Sequence, residues 1–124
     1  MKVNELRVGN LLLINEKVTE VFGINKYYIT HGNIESPCKH ELKYFKPIPL
    51  TEEWLVKLGF KKENYFTYDN GLISISLPSE DPLLWRNGRT YFNSWKICDA
   101  PKYVHNLQNI YFALTGNELQ CEGF

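Results

Sequence analysis

The stretch LTEEWLVKLGF, Leu50 to Phe60, decides the fold class, because it is a complete helix signal that stands between two β-rich parts of the chain. Thr51 is a good N-cap, and the two glutamates after it lie where the helix dipole favours negative charge. Gly59 suits the left-handed position after the last turn, and Phe60 is placed to pack back on the helix. The stretch therefore predicts a short helix over residues 52–58.

The residues before this helix predict short antiparallel strands. Runs of β-branched and aromatic residues follow one another over residues 10–33, with Asn15 and Glu16 as one of the turns between them. We expect a β-meander, in the style of a partial SH3-like barrel. Residues 41–45 predict a further strand, and Pro37 predicts a break in pairing before it.

Hairpins and a second helix are predicted after the first helix. A turn over residues 69–71 separates two strand-like runs, and the Asn-Gly dipeptide at residues 87–88 is the strongest kind of short hairpin signal. The stretch over residues 103–119 predicts a longer helix, which Gly116 ends. Together these elements predict an α+β fold with an antiparallel β-meander and hairpins, one short helix and one longer C-terminal helix.

The length of the chain fits one domain. A second independent core is hard to build from 124 residues. We therefore expect a single domain over residues 1–124, with an N-terminal β part over about 1–46 and a helix–hairpins–helix part over about 47–124.

Composition predicts a packed protein that is not a dedicated nucleic-acid binder. The hydrophobic fraction is 44% and the aromatic fraction 15%, while 14 basic and 14 acidic residues give a formal net charge of +0. A dedicated nucleic-acid binder usually carries a basic excess, so nucleic acid is not the expected partner. No run approaches the roughly 20 apolar residues of a membrane span, and the first residues lack the apolar core of a secretory signal. We expect a cytoplasmic protein.

The cysteines and histidines do not form a recognisable metal motif. Cys38 and His40 make a Cys-x-His pair, and His31, Cys98 and Cys121 lie elsewhere in the chain. Structural zinc sites normally show paired cysteines two to four residues apart, a spacing that is absent. An odd number of cysteines is typical of reduced thiols, so we expect no metal and no cofactor.

The second predicted hairpin carries the best candidate for a ligand site. Across a two-residue Asn-Gly turn, Arg86 and Arg89 occupy directly opposite positions, where two like charges need an anion, a carboxylate or an aromatic ring. Glu80 and Asp81 are internal receivers in one interpretation, and a phosphate, a nucleotide or an acidic partner is the receiver in another. The candidate ligand-binding residues are Arg86, Arg89, Trp85 and Tyr91.

The C-terminal helix presents two different faces. At 100° per residue, one face is the predicted core stripe of Tyr103, Val104, Leu107, Ile110, Tyr111 and Leu114. The other face is a candidate interaction surface of His105, Gln108, Asn109 and Phe112. Packing against the rest of the chain, a contact with a protein partner or a second copy, and a ligand site are three interpretations of this face. His105 has no nucleophile or carboxylate neighbour on its helix, which argues against catalysis.

Three phrases in the same order resemble a known group of proteins. They are NELRVGN near the start, PIPLTEEWLVKLGF in the middle and YVHNLQNIYFALTGNEL near the end. In these phrases the chain resembles a family of small proteins from Bacteroidota genomes, their mobile elements and their bacteriophages. The resemblance implies a bacterial or phage-infected host cell and a role in host interaction or counter-defence. It implies no catalytic residue and no cofactor.

Three classes of function are therefore expected. The first is a non-catalytic binding protein, such as a phage or mobile-element accessory factor that acts through protein–protein interaction or as a homo-oligomer. The second is a small-anion or nucleotide-binding protein that uses Arg86 and Arg89. The third is a small enzyme with a spatially assembled site. The sequence has no phosphate-loop, metalloprotease or esterase motif, which argues against this class.

Overall fold

A computed structural model of the chain describes residues 1–33, 35–64, 67–78, 88–92 and 95–121. Within these residues the protein is α+β, with two five-stranded antiparallel sheets and two α-helices, the longer of which is C-terminal. The predicted fold class is confirmed. Contacts divide the chain into two compact units, Met1–Pro49 with Tyr103–Glu118, and Leu50–Lys102 with a short stretch from Leu119. The C-terminal helix thus belongs with the N-terminal β part.

The elements follow one another as short strands and two helices. The strands are β1 Leu11–Ile14, β2 Lys17–Ile24, β3 Ile29–Asn33, β4 Ser36–His40, β5 Phe45–Lys46, β6 Lys61–Lys62, β7 Thr67–Asp69, β8 Ile73–Ser76, β9 Arg89–Phe92 and β10 Trp95–Asp99. The helices are α1 Glu52–Lys57 and α2 Val104–Thr115, and 3-10 helices cover Val3–Glu5 and Leu42–Tyr44.

The first unit is a five-stranded sheet that curls around its own core. Its strand order is β4-β3-β2-β1-β5, so β1 pairs with both β2 and β5. The buried core consists of Leu12, Val21, Ile29 and Phe45. The ring of Phe45 on β5 meets the ring of His31 on β3 edge to face, with centroids 4.9 Å apart. Strands that are not neighbours in the sheet thus share one interior, in keeping with the predicted partial barrel.

The chain between β3 and β5 differs from the sequence prediction. Pro37 lies inside β4, opposite Gly32, instead of breaking the pairing. In the described sheet β4 is an edge strand, where the missing N–H of proline does not interrupt a ladder on the outer side. The single strand predicted over residues 41–45 is wrong, because the 3-10 helix Leu42–Tyr44 lies there and β5 begins only at Phe45.

Helix α1 forms with the caps that its sequence predicts. The Thr51 side chain accepts the backbone N–H of Trp54 at 3.3 Å. Gly59 has φ of +89°, and the N–H of Phe60 donates to the carbonyl of Leu55 at 2.9 Å. This is the Schellman arrangement, in which a left-handed glycine lets the last carbonyls find donors. The prediction of this helix is confirmed to within its last residue.

The second unit contains the other sheet, with the order β10-β9-β8-β7-β6. The predicted turn joins β7 to β8, with Gly71 at φ of +97°. On β10 the register shifts between Lys96 and Cys98, so that Ile97 is an extra residue in the ladder. Because of this bulge Lys96 and Asp99 lie on the same side, where they form an ion pair at 3.4 Å.

Candidate binding site

The candidate arginine site lies in the second unit, and only part of it falls within the described residues. Trp85 and Arg86 lie outside them. Arg89 is directly opposite Ser76 on β8 and Asp99 on β10, so both edges of β9 are occupied. The predicted pairing of Arg86 with Arg89, and the predicted internal receivers Glu80 and Asp81, lie outside the described residues. The residue opposite Arg89 on β10 is Asp99, whose carboxylate forms the ion pair with Lys96.

Tyr91 lies two residues further along β9. It is half-buried, and its directly opposite residues are Ser74 and Lys96. Because side chains alternate along a strand, Tyr91 and Arg89 share one face of the sheet. Whether these residues bind an anion stays a prediction.

The candidate interaction face of α2 packs instead against the first residues of the same unit. His105 is 0% exposed and Gln108 is 3% exposed. The Gln108 side-chain oxygen accepts the N–H of Leu11 at 2.9 Å, and its amide nitrogen donates to the carbonyl of Gly9 at 3.1 Å. The predicted core stripe is wrong at its outer margin, since Leu114 is exposed. The buried face of α2 is thus rotated towards His105 and Gln108.

The other two residues of that face are bound to the N-terminal segment as well. The Asn109 amide donates to the carbonyl of Glu5 at 2.7 Å. Phe112 is 39% exposed, and the Arg7 guanidinium lies over its ring at 4.2 Å from the centroid. Arg7 also forms an ion pair with Glu118. Packing within the chain is therefore what the structure shows for most of this face.

A hydrogen-bonded chain of polar side chains runs through the first sheet. The Thr19 hydroxyl lies 2.8 Å from Nδ1 of His31, and Nε2 of His31 lies 2.8 Å from Nδ1 of His40. Thr19 and His31 are buried, whereas His40 is half-buried at the sheet edge. Burial lowers the pKa of His31, and the nearby His40 lowers it further. The structure thus brings together two histidines that lie nine residues apart in the sequence.

The Thr19–His31–His40 network has the hydrogen-bonding order of a catalytic triad, but its hydroxyl is not accessible to a substrate. A hydroxyl bonded to an imidazole, which a third group orients, is the arrangement that activates a nucleophile. Thr19, however, is only 7% exposed, so its hydroxyl is closed to a substrate. Among the described ranges no three histidine, cysteine, aspartate or glutamate side chains are grouped closely enough to hold a metal ion. In this structure the hydrogen-bonded network of Thr19, His31 and His40 is therefore internal, and its hydroxyl is not placed to attack a substrate.

An open cavity of about 280 Å³ lies next to this network. Its lining residues are Leu13, Asn15, Glu16, Tyr44 and Lys46. Tyr44 is 54% exposed, and its ring meets the His40 ring at 6.1 Å between centroids. The Lys43 ammonium lies 5.3 Å from the Tyr44 centroid, within the range of a cation–π interaction.

The two charged groups of this cavity have no ion-pair partner among the described residues. Glu16 and Lys46 form no ion pair with another residue in the described part of the chain. The cavity therefore offers a carboxylate, an ammonium, an aromatic ring and the apolar side chain of Leu13 to a ligand. Binding sites usually combine a few polar groups with an apolar or aromatic surface.

A larger cavity in the second unit has charged groups but no aromatic or apolar side chain among its lining residues. It measures about 410 Å³ and is lined by Gly59, Lys61, Glu63, Asp69, Asn70 and Gly71. None of these lining residues is aromatic or aliphatic. The Asp69 carboxylate is already occupied, because it accepts the N–H of Gly71 at 2.5 Å and the hydroxyl of Ser74. The smaller cavity at Tyr44 is therefore the better candidate binding site.

The turn at the edge of the Tyr44 cavity holds two residues in an unfavourable conformation. Asn15 has φ of +49° and Glu16 has φ of +63°. Asparagine and glycine adopt a positive φ at little cost, whereas glutamate is strained there. Strain of this kind is kept where the surrounding structure or a function requires the side chain.

Glu16→Gly is therefore expected to raise the free energy of unfolding by about 0.5–1 kcal/mol. The glycine relieves the strained φ, and the resulting Asn-Gly dipeptide is a preferred sequence for a two-residue hairpin turn. Urea denaturation of the variant and the unaltered protein measures the difference. Lys17→Gly, in the adjacent strand position, is the matched control and is expected to destabilise. A loss of stability in Glu16→Gly would show that the turn is not strained.

The sequence predictions did not include the residues of this cavity. Asn15 and Glu16 were predicted as a turn but not as part of a site, and Tyr44 was assigned to a strand. The available signal was a glutamate where a hairpin turn normally has glycine. The meeting of that turn with Tyr44 and Lys46 depends on the pairing of β1 with β5, which has no local sequence signal.

Comparison with known proteins assigns no family to this site. No protein-family model matches the chain, and neither a curated protein nor a solved structure matches it. The resemblance to small Bacteroidota and phage proteins therefore stays a prediction. Of the helices in the described residues, none combines the length and the apolar character required to cross a membrane.

Proposed function

We propose that the protein is a non-catalytic binding protein and that it takes a segment of a partner protein at the Tyr44 cavity. The observation that carries the proposal is the convergence of exposed Tyr44 with Glu16 and Lys46, two charged residues that form no ion pair within the described part of the chain. Tyrosine is enriched among the residues that dominate protein interfaces, because its ring buries a large area with little conformational freedom to lose.

The charges of the cavity define the chemistry of the partner. A basic side chain fits beside the Glu16 carboxylate and the Tyr44 ring, since both attract a cation. An acidic side chain fits beside Lys46. The expected ligand is therefore an extended segment that carries a basic and an acidic residue around an apolar one.

The resemblance to small proteins of Bacteroidota and their phages supports a role as an accessory factor in a bacterial or phage-infected cell. Self-association, the other form of protein contact that was expected, stays a prediction. Binding of an anion or nucleotide by Arg89 is less favoured, because Asp99 lies directly opposite Arg89.

Selection from a displayed library of random linear peptides tests the proposal. We expect the selected peptides to carry a basic and an acidic residue around an apolar one. In calorimetry Tyr44→Ala should weaken the best of them about ten-fold or more, and Glu16→Gln about two- to five-fold. Tyr27→Ala is the matched control, since Tyr27 is an exposed tyrosine elsewhere in the same unit, and it should leave the affinity unchanged.

Two results would contradict the proposal. One is a selection that yields no binding peptide. The other is a peptide whose affinity is the same for the unaltered protein and for Tyr44→Ala and Glu16→Gln, because such a peptide binds elsewhere.

A further inference from the structure

The His31–His40 contact holds a single proton between two rings. The nitrogens are 2.8 Å apart, which is a normal hydrogen-bond distance and requires one hydrogen on the line between them. Each neutral imidazole carries one N–H, so a neutral pair can form this bond with either ring as the donor. If both rings are fully protonated, two hydrogens face each other and the bond is lost.

The two histidines are not equivalent towards an added proton. A proton on the outward Nε2 of His40 leaves the shared bond intact, because Nδ1 of His40 can then donate to His31. His31 is 5% exposed and lies against the Phe45 ring, so its charged form is poorly solvated. The added charge of a protonated pair is therefore best placed on His40, beside Tyr44.

A charge on His40 changes the forces on the Tyr44 ring. In the structure the ring attracts the Lys43 ammonium at 5.3 Å and meets the His40 ring at 6.1 Å. A cationic His40 competes with Lys43 for the same electron-rich ring. It also adds positive charge next to Tyr44, a lining residue of the cavity that is expected to receive a basic side chain, and this charge disfavours binding.

The other titratable groups around the pair are few. Cys38 is directly opposite His31, and Lys39 is opposite Thr30, which places it on the other face of the sheet. Glu41 forms an ion pair with Lys43 at 3.6 Å and so partly neutralises it. Within the described part of this unit the carboxylate of Glu41 is thus already engaged, and it does not remove the effect of a charge on His40.

We propose that the His31–His40 pair makes the Tyr44 cavity sensitive to pH, so that protonation of the pair moves Tyr44 and weakens binding of a basic segment. The effect on binding rests on the proposed function. The coupling between the histidine pair and Tyr44 does not, because it is a property of the free protein.

Nuclear magnetic resonance of the free protein tests the coupling between about pH 8 and about pH 5, the range over which histidine titrates. The Tyr44 ring resonances should shift with the same midpoint as the His40 ring. The Tyr27 ring is the internal control, since a lysine but no described imidazole contacts it, and it should not follow that midpoint. In a folded His40→Gln variant the Tyr44 shift should disappear. A Tyr44 ring that does not titrate in the unaltered protein, or that titrates equally in His40→Gln, overturns the inference.

Binding of a selected peptide at about pH 7.5 and about pH 5.5 tests the consequence. We expect binding about three- to five-fold weaker at the lower pH, and no such difference in His40→Gln. Equal affinity at both values overturns the regulation while the proposed function stands. If no peptide binds at either pH, the proposed function fails and the regulation of binding fails with it, and the Tyr44 titration alone decides the coupling.

Discussion

Replacing Gln108 by alanine is expected to lower the free energy of unfolding by about 2–4 kcal/mol. Its side chain is almost fully buried and forms hydrogen bonds to Leu11 N–H and Gly9 C=O. Alanine removes both partners at once, and it leaves a cavity between α2 and β1. An unpaired buried backbone group costs the free energy of its lost hydration, which exceeds the net contribution of an ordinary hydrogen bond.

Urea denaturation measures this loss, and Asn109→Ala is the matched control. Asn109 is the next residue of α2 and also bonds the N-terminal segment, through Glu5 C=O at 2.7 Å. Asn109 is half-buried, but its side-chain oxygen also accepts the amide of the buried Asn10 at 2.8 Å, so we expect a smaller loss of about 1–2 kcal/mol. If Gln108→Ala costs no more than Asn109→Ala, the packing of α2 against the N-terminal segment does not stabilise the fold as described.

Acidification is expected to destabilise the protein as the pH falls below about 6.5. Burial lowers the pKa of His31, with a smaller contribution from His40. Burial also lowers the pKa of His105, more strongly than the nearby Glu5 raises it. The unfolded chain therefore binds more protons than the folded chain in the range between the unfolded and the folded pKa values. Stability is full above the unfolded value and is lost as the pH decreases towards the folded values.

The steepest slope that each histidine can contribute is about 1.4 kcal/mol per pH unit. Denaturation with urea between about pH 8 and about pH 5.5 measures it, in the range where histidine titrates. A folded His105→Asn variant should show a smaller slope. Protonation of Glu20 has the opposite effect on stability at lower pH. Burial and the neighbouring Glu118 raise the pKa of this carboxyl, so the folded chain takes up its proton first. A stability that stays constant or rises over the measured range would contradict the assignment of His31 and His105 as neutral buried groups.

Helix α1 shows which parts of the fold the sequence can predict. Thr51 caps the helix, Gly59 ends it, and Phe60 donates the hydrogen bond expected of its position. All three act on groups within a few residues of themselves, so the sequence contains the complete signal. The turns at residues 15–16 and 69–71 are predictable for the same reason.

Helix α2 shows why the rest could not be predicted. Its periodicity places His105 and Gln108 opposite the apolar stripe, because the pattern counts polarity and not hydrogen-bond demand. The carbonyl of Gly9 and the N–H of Leu11, the first residue of β1, need hydrogen-bond partners. The Gln108 side chain supplies both. This requirement comes from a distant part of the chain and overrides the local pattern.

The histidine network was missed for a related reason. Pro37 predicts the end of pairing, and yet it lies in β4, an edge strand of the described sheet that tolerates proline. That pairing brings His40 to His31, and β5 then brings Tyr44 to the same place. The Tyr44 cavity therefore depends on two long-range pairings for which no short motif exists.

The central claim is that a partner segment binds at the Tyr44 cavity. The most direct measurement is a map of backbone amide chemical shifts of the isotopically labelled protein as a selected peptide is added. We expect the largest changes at the residues that line the cavity, which are Leu13, Asn15, Glu16, Tyr44 and Lys46. Changes centred on β10 or on the exposed side of α2, with the cavity residues unaffected, would contradict it.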